Sequence, residues 1–297
     1  MYFPAFLKTP LCAESWNVAF REKSAGAILE DTQTPFTVIP NNFRYWAADP
    51  FVVRVEGETY IFAELYDYIL CRGVIGYCRI HGGKPGRWKP VIREDYHLSY
   101  PCLMESGGKL YLMPESGEGE VLTVYETVRF PDQWEKRVLR RGVNFADTTP
   151  VPCSGHDLAL THDVPDPENP RLTLIDLAGK LEDREIEGRE PLRSRPAGHC
   201  FEKDGKWFRP AQISQDTGAG YGKGLVFCQW NLGGDLCYRE TEVRELYPEE
   251  LRLDRPVLLD GMHTYNANDQ YEVIDIKTRR FNLLNFAMRI VGKFLRR

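Results

Sequence analysis

A chain of 297 residues with 42% hydrophobic and 12% aromatic side chains can bury a real core, so it reads as globular. A net charge of −5 and an isoelectric point near 5.8 argue against nucleic acid as the main partner. Cys12, Cys71, Cys78, Cys102, Cys153, Cys200, Cys228 and Cys237 are scattered, with no CxxC pair and no metal-ligand spacing, so reduced thiols and neither metal nor cofactor are expected.

The opening residues MYFPAFLKTPLCAESW hold no long apolar stretch of the kind a signal peptide needs, and no run approaches eighteen apolar residues. A cytoplasmic protein without a membrane span is the expectation. Strand signals dominate the chain. Short runs rich in Val, Ile, Tyr, Phe and Leu alternate with polar turn clusters such as EGE, SGGK, KDGK and ANDQ.

Taken in order, residues 16–20 and 36–39 predict strands. Five segments of one design then follow, over 48–64, 99–115, 146–162, 194–210 and 262–275. Each opens an inner strand with a polar residue beside Pro or Thr, turns through a tight polar loop, and returns as a second apolar strand. The polar openers are Asp49, Tyr100, Asp147, Arg195 and His263; the first four are 51, 47 and 48 residues apart, and the fifth follows after 68. A period near fifty is the size of a propeller blade. Outer strands are predicted at 74–80 and 89–92, 121–128 and 135–139, 171–177 and 183–186, and 224–230 and 237–243. The fifth blade has none after it, so the strands at 16–20 and 36–39 close the ring. The fold expected is all-β, a five-bladed β-propeller over residues 1–277. A β-sandwich shares the turns but requires no such period.

The innermost strand of each blade lines the axis. Asp49, Tyr100, Asp147, Arg195 and His263 should therefore ring one end of the channel. Two carboxylates, a guanidinium, an imidazole and a phenol suit a polyhydroxylated or anionic ligand and can move protons. Glu64, Glu115 and His162 stand fifteen residues after the first three openers, and Arg209 with Pro210 takes that place in the fourth blade. His97, Gln212, Tyr221 and Glu240 are further polar candidates. Polar residues at an axis also serve simply to bond one another and trapped water. For Asp49 alone, turn chemistry before Pro50 explains the residue as well as catalysis does.

The motifs WAADPF, YHLSYP, LMPES, FADTTP, RPAG, FRPAQ, YG and GMHTYN, over roughly residues 40–277, resemble the propeller at the N-terminus of plant glucosamine inositolphosphorylceramide transferases. Stand-alone bacterial relatives of that domain are associated with surface-polysaccharide synthesis. SGHDLALTH stands where the family has an aromatic-rich strand. The plant proteins carry a separate glycosyltransferase domain, so its activity does not transfer with the resemblance. More distantly, the architecture is similar to five-bladed glycosidases of the arabinanase and xylosidase type. Those enzymes use a base in the first blade, a tuning carboxylate in the third and an acid in the fourth. Asp49 and Asp147 match the first two. Arg195 takes the acid's place, and an arginine does not give up its proton. The acid must then come from Glu64 or Glu115, or the reaction is another. Arg195 and Arg209 would suit a carboxylate or phosphate on the ligand.

After Asp275 the chain carries seven basic and no acidic residues. Over 278–297, Phe281, Leu284, Met288, Val291 and Leu295 fall at helical spacing, opposite Asn282, Asn285, Arg289, Lys293 and Arg296. A basic amphipathic helix is predicted there, suited to an anionic membrane surface at the inner face. Docking on the propeller's side or on a partner subunit is the alternative.

Two functions fit these observations. One is a carbohydrate-active enzyme, hydrolysing or transferring a glycosyl unit. Asp49, Asp147, Glu115 and Glu64 would do its chemistry, while Tyr100, His97, Arg195, Arg209, Gln212, Tyr221 and His263 hold the sugar. The other is a non-catalytic glycan- or sugar-nucleotide-binding module that assists a membrane-associated assembly system.

Overall fold

The computed structural model describes residues 12–24, 27–153, 155–165, 170–215 and 220–281. Among them stand five antiparallel sheets and one four-residue α-helix, Ala27–Glu30. Blade one runs from the axis outward as Tyr45–Val55, Glu58–Asp67 and Arg72–His81, with Lys84–Pro85 and Lys89–Ile92 pairing its outer edge. Blade two is Ser99–Ser106, Lys109–Glu115, Val121–Arg129 and Gln133–Arg141. Blade three is Phe145–Pro150, Leu158–Asp163, Arg171–Asp176 and a two-residue Arg184–Glu185. Blade four is Phe201–Lys203, Lys206–Ile213, Gly224–Leu232 and Tyr238–Leu246.

Blade five is completed from both ends of the chain. Tyr265–Ala267 and Tyr271–Phe281 come from the C-terminal side, and Cys12–Glu22 and Thr37–Val38 from the N-terminal side. Eleven residue pairs join Cys12–Glu22 to Tyr271–Phe281. That ladder closes the ring and leaves no open blade edge at the seam. A buried ion pair clasps it, with Arg21 Nε 2.7 Å from Glu272 Oε2. Glu272 Oε1 also accepts from the Ile28 amide and the Tyr265 hydroxyl, each at 2.7 Å.

The last strand runs to Phe281, beyond the boundary expected at 277. Thr278 pairs with Ser15 and Phe281 with Cys12, and Thr278 Oγ1 donates to the Ser15 carbonyl at 3.0 Å. Strand pairing, not helical spacing, therefore governs 278–281. The rest of the predicted amphipathic helix, 282–297, lies outside the described residues. Among the described residues no helix is long and apolar enough to cross a membrane.

Strand alternation turns one face of each sheet toward the preceding blade and the other toward the next. Apolar residues on both faces build a core at every blade boundary. Phe51, Phe62, Ile75, Leu98, Tyr100 and Leu112 fill the space between blades one and two. Val18, Val273, Ile61, Leu65 and Val74 fill that between blades five and one.

Blades one to three share one deviation. The innermost ladder slips between Ala48 and Phe51, between Ser99 and Cys102, and between Ala146 and Thr149. Asp49, Tyr100 and Asp147 stand in these β-bulges with φ of 51°, 45° and 51°. Asp tolerates the left-handed region, but for Tyr it is strained, at a cost of order 1–3 kcal/mol. Such strain, repeated at one depth around an axis, re-aims side chains and marks a site. Blade four does it differently. Gly198 has φ of 139°, and a Cβ there would lie 1.9 Å from the Tyr265 carbonyl oxygen. Only glycine lets the blade-four and blade-five inner segments approach so closely.

Candidate functional site

The ladders decide which residues face each other at the axis. Continuing the register past each bulge sets Asp49 beside Glu64, Tyr100 beside Glu115, and Asp147 beside His162. In blade four the bridge between Pro196 and Ala211 sets Arg195 beside Gln212, whose amide donates to the Arg195 carbonyl at 2.9 Å. In blade five Tyr265 pairs with Ile274, which sets Thr264 beside Asp275. The structure thus revises two assignments. Gln212, and not Arg209, faces the axis in blade four. Thr264 holds the fifth opening position, with His263 one residue earlier.

On the blade-one side, Asp49 is buried. Its Oδ1 accepts from Thr264 Oγ1 at 2.8 Å and its Oδ2 from the Tyr100 amide at 3.2 Å. Burial pushes its carboxyl up to about 6, against the pull of His263. Glu64 is pushed well above the carboxylate range, by burial first and then by the Asp49 charge, which favours its protonated form. Its Oε1 makes no hydrogen bond among the described residues, and His97 Nε2 lies 3.4 Å away. His97 Nδ1 accepts the Gly73 amide at 3.0 Å, and burial lowers this imidazole. The neutral ring therefore carries its proton on Nε2, toward Glu64. Gly73 is required here: a Cβ would lie 2.2 Å from the Leu98 carbonyl oxygen and 2.7 Å from Glu64 Oε1.

Across the axis, one guanidinium joins two carboxyl groups. Arg195 Nε donates to Asp147 Oδ2 at 2.5 Å and its Nη2 to Glu115 Oε2 at 2.9 Å. Gln212 Nε2 adds a bond to Asp147 Oδ2 at 2.7 Å. Burial pushes Asp147 up to about 7; Arg195 opposes this, while the charge of Glu115 and a carboxyl–carboxyl hydrogen bond to it reinforce it. Arg195 thus bridges Asp147 and Glu115, and it is Asp147 whose carboxyl is raised. The Tyr221 ring lies 5.6 Å from the Arg195 guanidinium carbon.

His263 stacks on Trp16 with centroids 4.1 Å apart. Its Nδ1 is 2.6 Å from Asp275 Oδ2 and its Nε2 3.5 Å from Asp49 Oδ1. Burial alone would lower this imidazole, but Asp275 and Asp49 outweigh it and raise it. Donor atoms of Asp49, His263 and Asp275 lie within 4.8 Å of one another, close enough to share an ion. The lone pairs of Asp275 are already in use, however. Its Oδ1 accepts the His263 and Thr264 amides at 2.9 and 3.0 Å, and its Oδ2 the Asp49 amide at 3.0 Å. Asp275 acts as a clasp that ties blade five to the Asp49 bulge.

Two predicted contacts lie elsewhere. The Tyr100 side chain is sealed in the core between blades one and two, its hydroxyl 2.7 Å from Thr149 Oγ1 and its ring edge-on to Phe51. Arg209 is buried in blade four, where Nε and Nη2 donate to Glu240 at 2.5 and 2.6 Å. Its charge is spent on Glu240, which also pairs with Arg189 at 2.8 Å and accepts the Tyr238 hydroxyl at 2.6 Å. Asp275, Thr264 and Trp16 were missed. The signal for Asp275 was present, as the carboxyl residue ending the fifth segment; the spacing of fifteen hid it because the fifth hairpin is shorter.

The five blades around a polar axial cluster define a class by architecture, the five-bladed β-propellers. The solved structures that share the fold include the catalytic domain of the Coprinopsis cinerea GH62 α-L-arabinofuranosidase. It has a TM-score of 0.57 at 11% identity, over 88% of this chain and 98% of that one. An α-L-arabinofuranosidase from Lactobacillus brevis has a TM-score of 0.52 at 12% identity, over 77% and 82%. At these identities the likeness is one of fold.

Sequence is more specific. The family model described as glucosamine inositolphosphorylceramide transferase 1, N-terminal, matches residues 9–163, just over half of the chain. The chain belongs to that family. Glucosamine inositolphosphorylceramide transferase 1 of Arabidopsis thaliana is 30% identical over 255 residues, covering 80% of this chain and 31% of that protein. The Oryza sativa subsp. indica protein of the same name is 33% identical over 98 residues, 32% of this chain and 13% of that one. The chain thus spans under a third of the length of the relatives it matches.

Proposed function

We propose that the axial pocket breaks or transfers a glycosidic bond, with Glu64 as the acid and Asp49 as the base. The observation that carries the reading is the displacement of two neighbouring carboxyls, Glu64 pushed by burial well above the usual range, with its Oε1 unbonded among the described residues, and Asp49 brought near 6. Pairs of titratable groups pushed apart in this way divide acid from base work. The Glu64 hydroxyl protonates the leaving oxygen as its bond to the anomeric carbon breaks. Asp49 takes the proton of the incoming water, or of an acceptor hydroxyl, as that oxygen bonds to the same carbon. The proton on Asp49 then returns to Glu64 through solvent, and the site is restored. Glu115 is the weaker candidate for the acid, because Arg195 holds it as an ion pair. Arg195, Gln212 and Tyr221 would wall the sugar site opposite. An anionic ligand group would have to compete with Asp147 and Glu115 for Arg195, so a polyhydroxylated substrate fits better than a phosphate there.

The names of the relatives and the likeness to arabinofuranosidases support a sugar substrate. Surface-polysaccharide or glycolipid synthesis is the setting we propose, at the inner membrane face through the basic residues of 282–297. Loss of liposome binding on their removal is the expected result, and unchanged binding would reject the membrane role.

The second reading is a glycan-binding module, favoured by one observation. Arg195 occupies the fourth-blade position and neutralises Asp147 and Glu115. Aryl glycosides, oligosaccharides and sugar nucleotides incubated with wild type, Asp49→Asn and Glu64→Gln separate the two. The enzyme reading expects turnover that falls about 10²- to 10⁴-fold in both variants while binding survives. Binding without turnover in the wild type gives the case to the module.

A further inference from the structure

We propose that Trp46 and Tyr66 form a stacking platform for a second pyranose ring, extending the axial pocket by one sugar toward blade two. The inference rests on the reading of that pocket as a sugar site. It begins with strand alternation. Along Glu58–Asp67, Phe62, Glu64 and Tyr66 project from one face of the strand. Phe62 is sealed in the core between blades one and two. Glu64 is the buried acid at pocket level. Tyr66 comes next on that face, at the rim, and is only half-buried. Its ring centroid is 6.5 Å from that of His97, the residue aimed at Glu64.

Trp46 is the direct ladder partner of Tyr66 and lies three residues before Asp49. The two rings stack at 4.8 Å with only 6° between their planes, so Tyr66 backs one face of Trp46 and fixes the ring, and the opposite face of Trp46, on the inner strand, is the one left for a ligand. Cross-strand aromatic pairs also serve to stabilise sheets. Two features separate this pair from that role. Trp46 is half-buried at the rim, unlike the inter-blade core beneath it. Its indole N–H also makes no hydrogen bond among the described residues, although it is not sealed from solvent in the way the Trp88 and Trp230 N–H groups are. A flat apolar face beside an available donor suits the C–H face of a pyranose and a neighbouring hydroxyl. Position fixes which sugar it would hold. A ring whose linkage oxygen reaches Glu64 leaves its neighbour against that face of Trp46.

The test compares monosaccharides with their disaccharides, using glucose, glucosamine, galactose and xylose beside cellobiose, chitosan dimer, galactobiose and xylobiose. Binding is read by calorimetry on the whole chain. For the sugar that binds, the disaccharide should bind about tenfold more tightly than its monosaccharide. Trp46→Ala should erase that advantage and leave monosaccharide affinity unchanged. Trp46→Phe, which keeps the stack without the donor, should retain most of it. An undiminished disaccharide advantage in a folded Trp46→Ala variant overturns the platform. Arg195→Met tests the pocket separately, since it should weaken both sugars alike. If no sugar binds the wild type, the pocket reading fails and the platform falls with it.

Discussion

Blades one to three and blades four and five meet the axis with different inner-ladder geometry and different chemistry. The first three hold their opening residue in a left-handed bulge and supply Asp49, Glu64, Glu115 and Asp147. The last two supply Arg195, Gln212, Thr264 and His263, which donate to those carboxyls or pair with them. Five carboxyl groups meet around one axis, the fifth being Asp275 of blade five, whose oxygens accept the His263, Thr264 and Asp49 amides. The others are pushed toward the protonated form by burial, as Glu64 is, or bonded by a partner from the far side, as Asp147 is. Acidic chemistry on one side of a propeller therefore requires a donor wall on the other.

Removing part of the donor wall is the direct way to break this balance. The largest stability loss should come from a pair outside it. Arg209→Met takes two donors from the buried Glu240 carboxylate and leaves it only Arg189 and Tyr238, so it should cost about 3 kcal/mol in urea unfolding, with ligand binding unchanged if the variant is studied well below its midpoint. Arg195→Met should cost less, about 2 kcal/mol, because its side chain is a quarter exposed and Gln212 still donates to Asp147. It should also weaken sugar binding, which Arg209→Met should not. Equal effects of the two variants on binding would erase the distinction between wall and blade core.

A pH effect follows from the acid side. Asp49 and Asp147 sit near 6 and 7 in the folded protein, above the ordinary value of 3.8. The folded state therefore holds protons that the unfolded chain releases. The stability they contribute is present below about pH 4 and is lost as pH rises through 6 and 7. Asp49→Asn should flatten part of that loss and be more stable than wild type at pH 8, by about 1–3 kcal/mol. A denaturation midpoint that rises for wild type between pH 5 and 8 would contradict it. The smallest effect belongs to Thr264→Val, which removes one hydroxyl from Asp49 Oδ1. It should cost about 1 kcal/mol and move the acid limb of any pH–rate profile upward.

The repeat made the architecture legible, because blade-length spacing and polar openers both survive in the residues themselves. Asp49, Asp147 and Arg195 were legible for the same reason, and all three stand at the axis. What spacing could not show was side-chain direction within a bulge. Tyr100 occupies an opening position, yet its ring turns into the core and only its amide reaches Asp49. Arg209 and Gln212 are three residues apart on one strand, an odd number, so they point to opposite faces and only Gln212 meets the axis. The last strand was misread past 277 because the KTRRF segment has no apolar alternation of its own; its pairing comes from Cys12–Glu22, which lies at the other end of the chain.

The account turns on the protonation of Glu64 beside Asp49. Carbon-13 NMR of side-chain carboxyls, assigned through Glu64→Gln and Asp49→Asn, reads this directly across pH 3–9. The account predicts a Glu64 resonance still in the protonated position at pH 7, while Asp49 titrates near 6. A Glu64 carboxyl that ionises near 4, as an ordinary surface glutamate does, would contradict it.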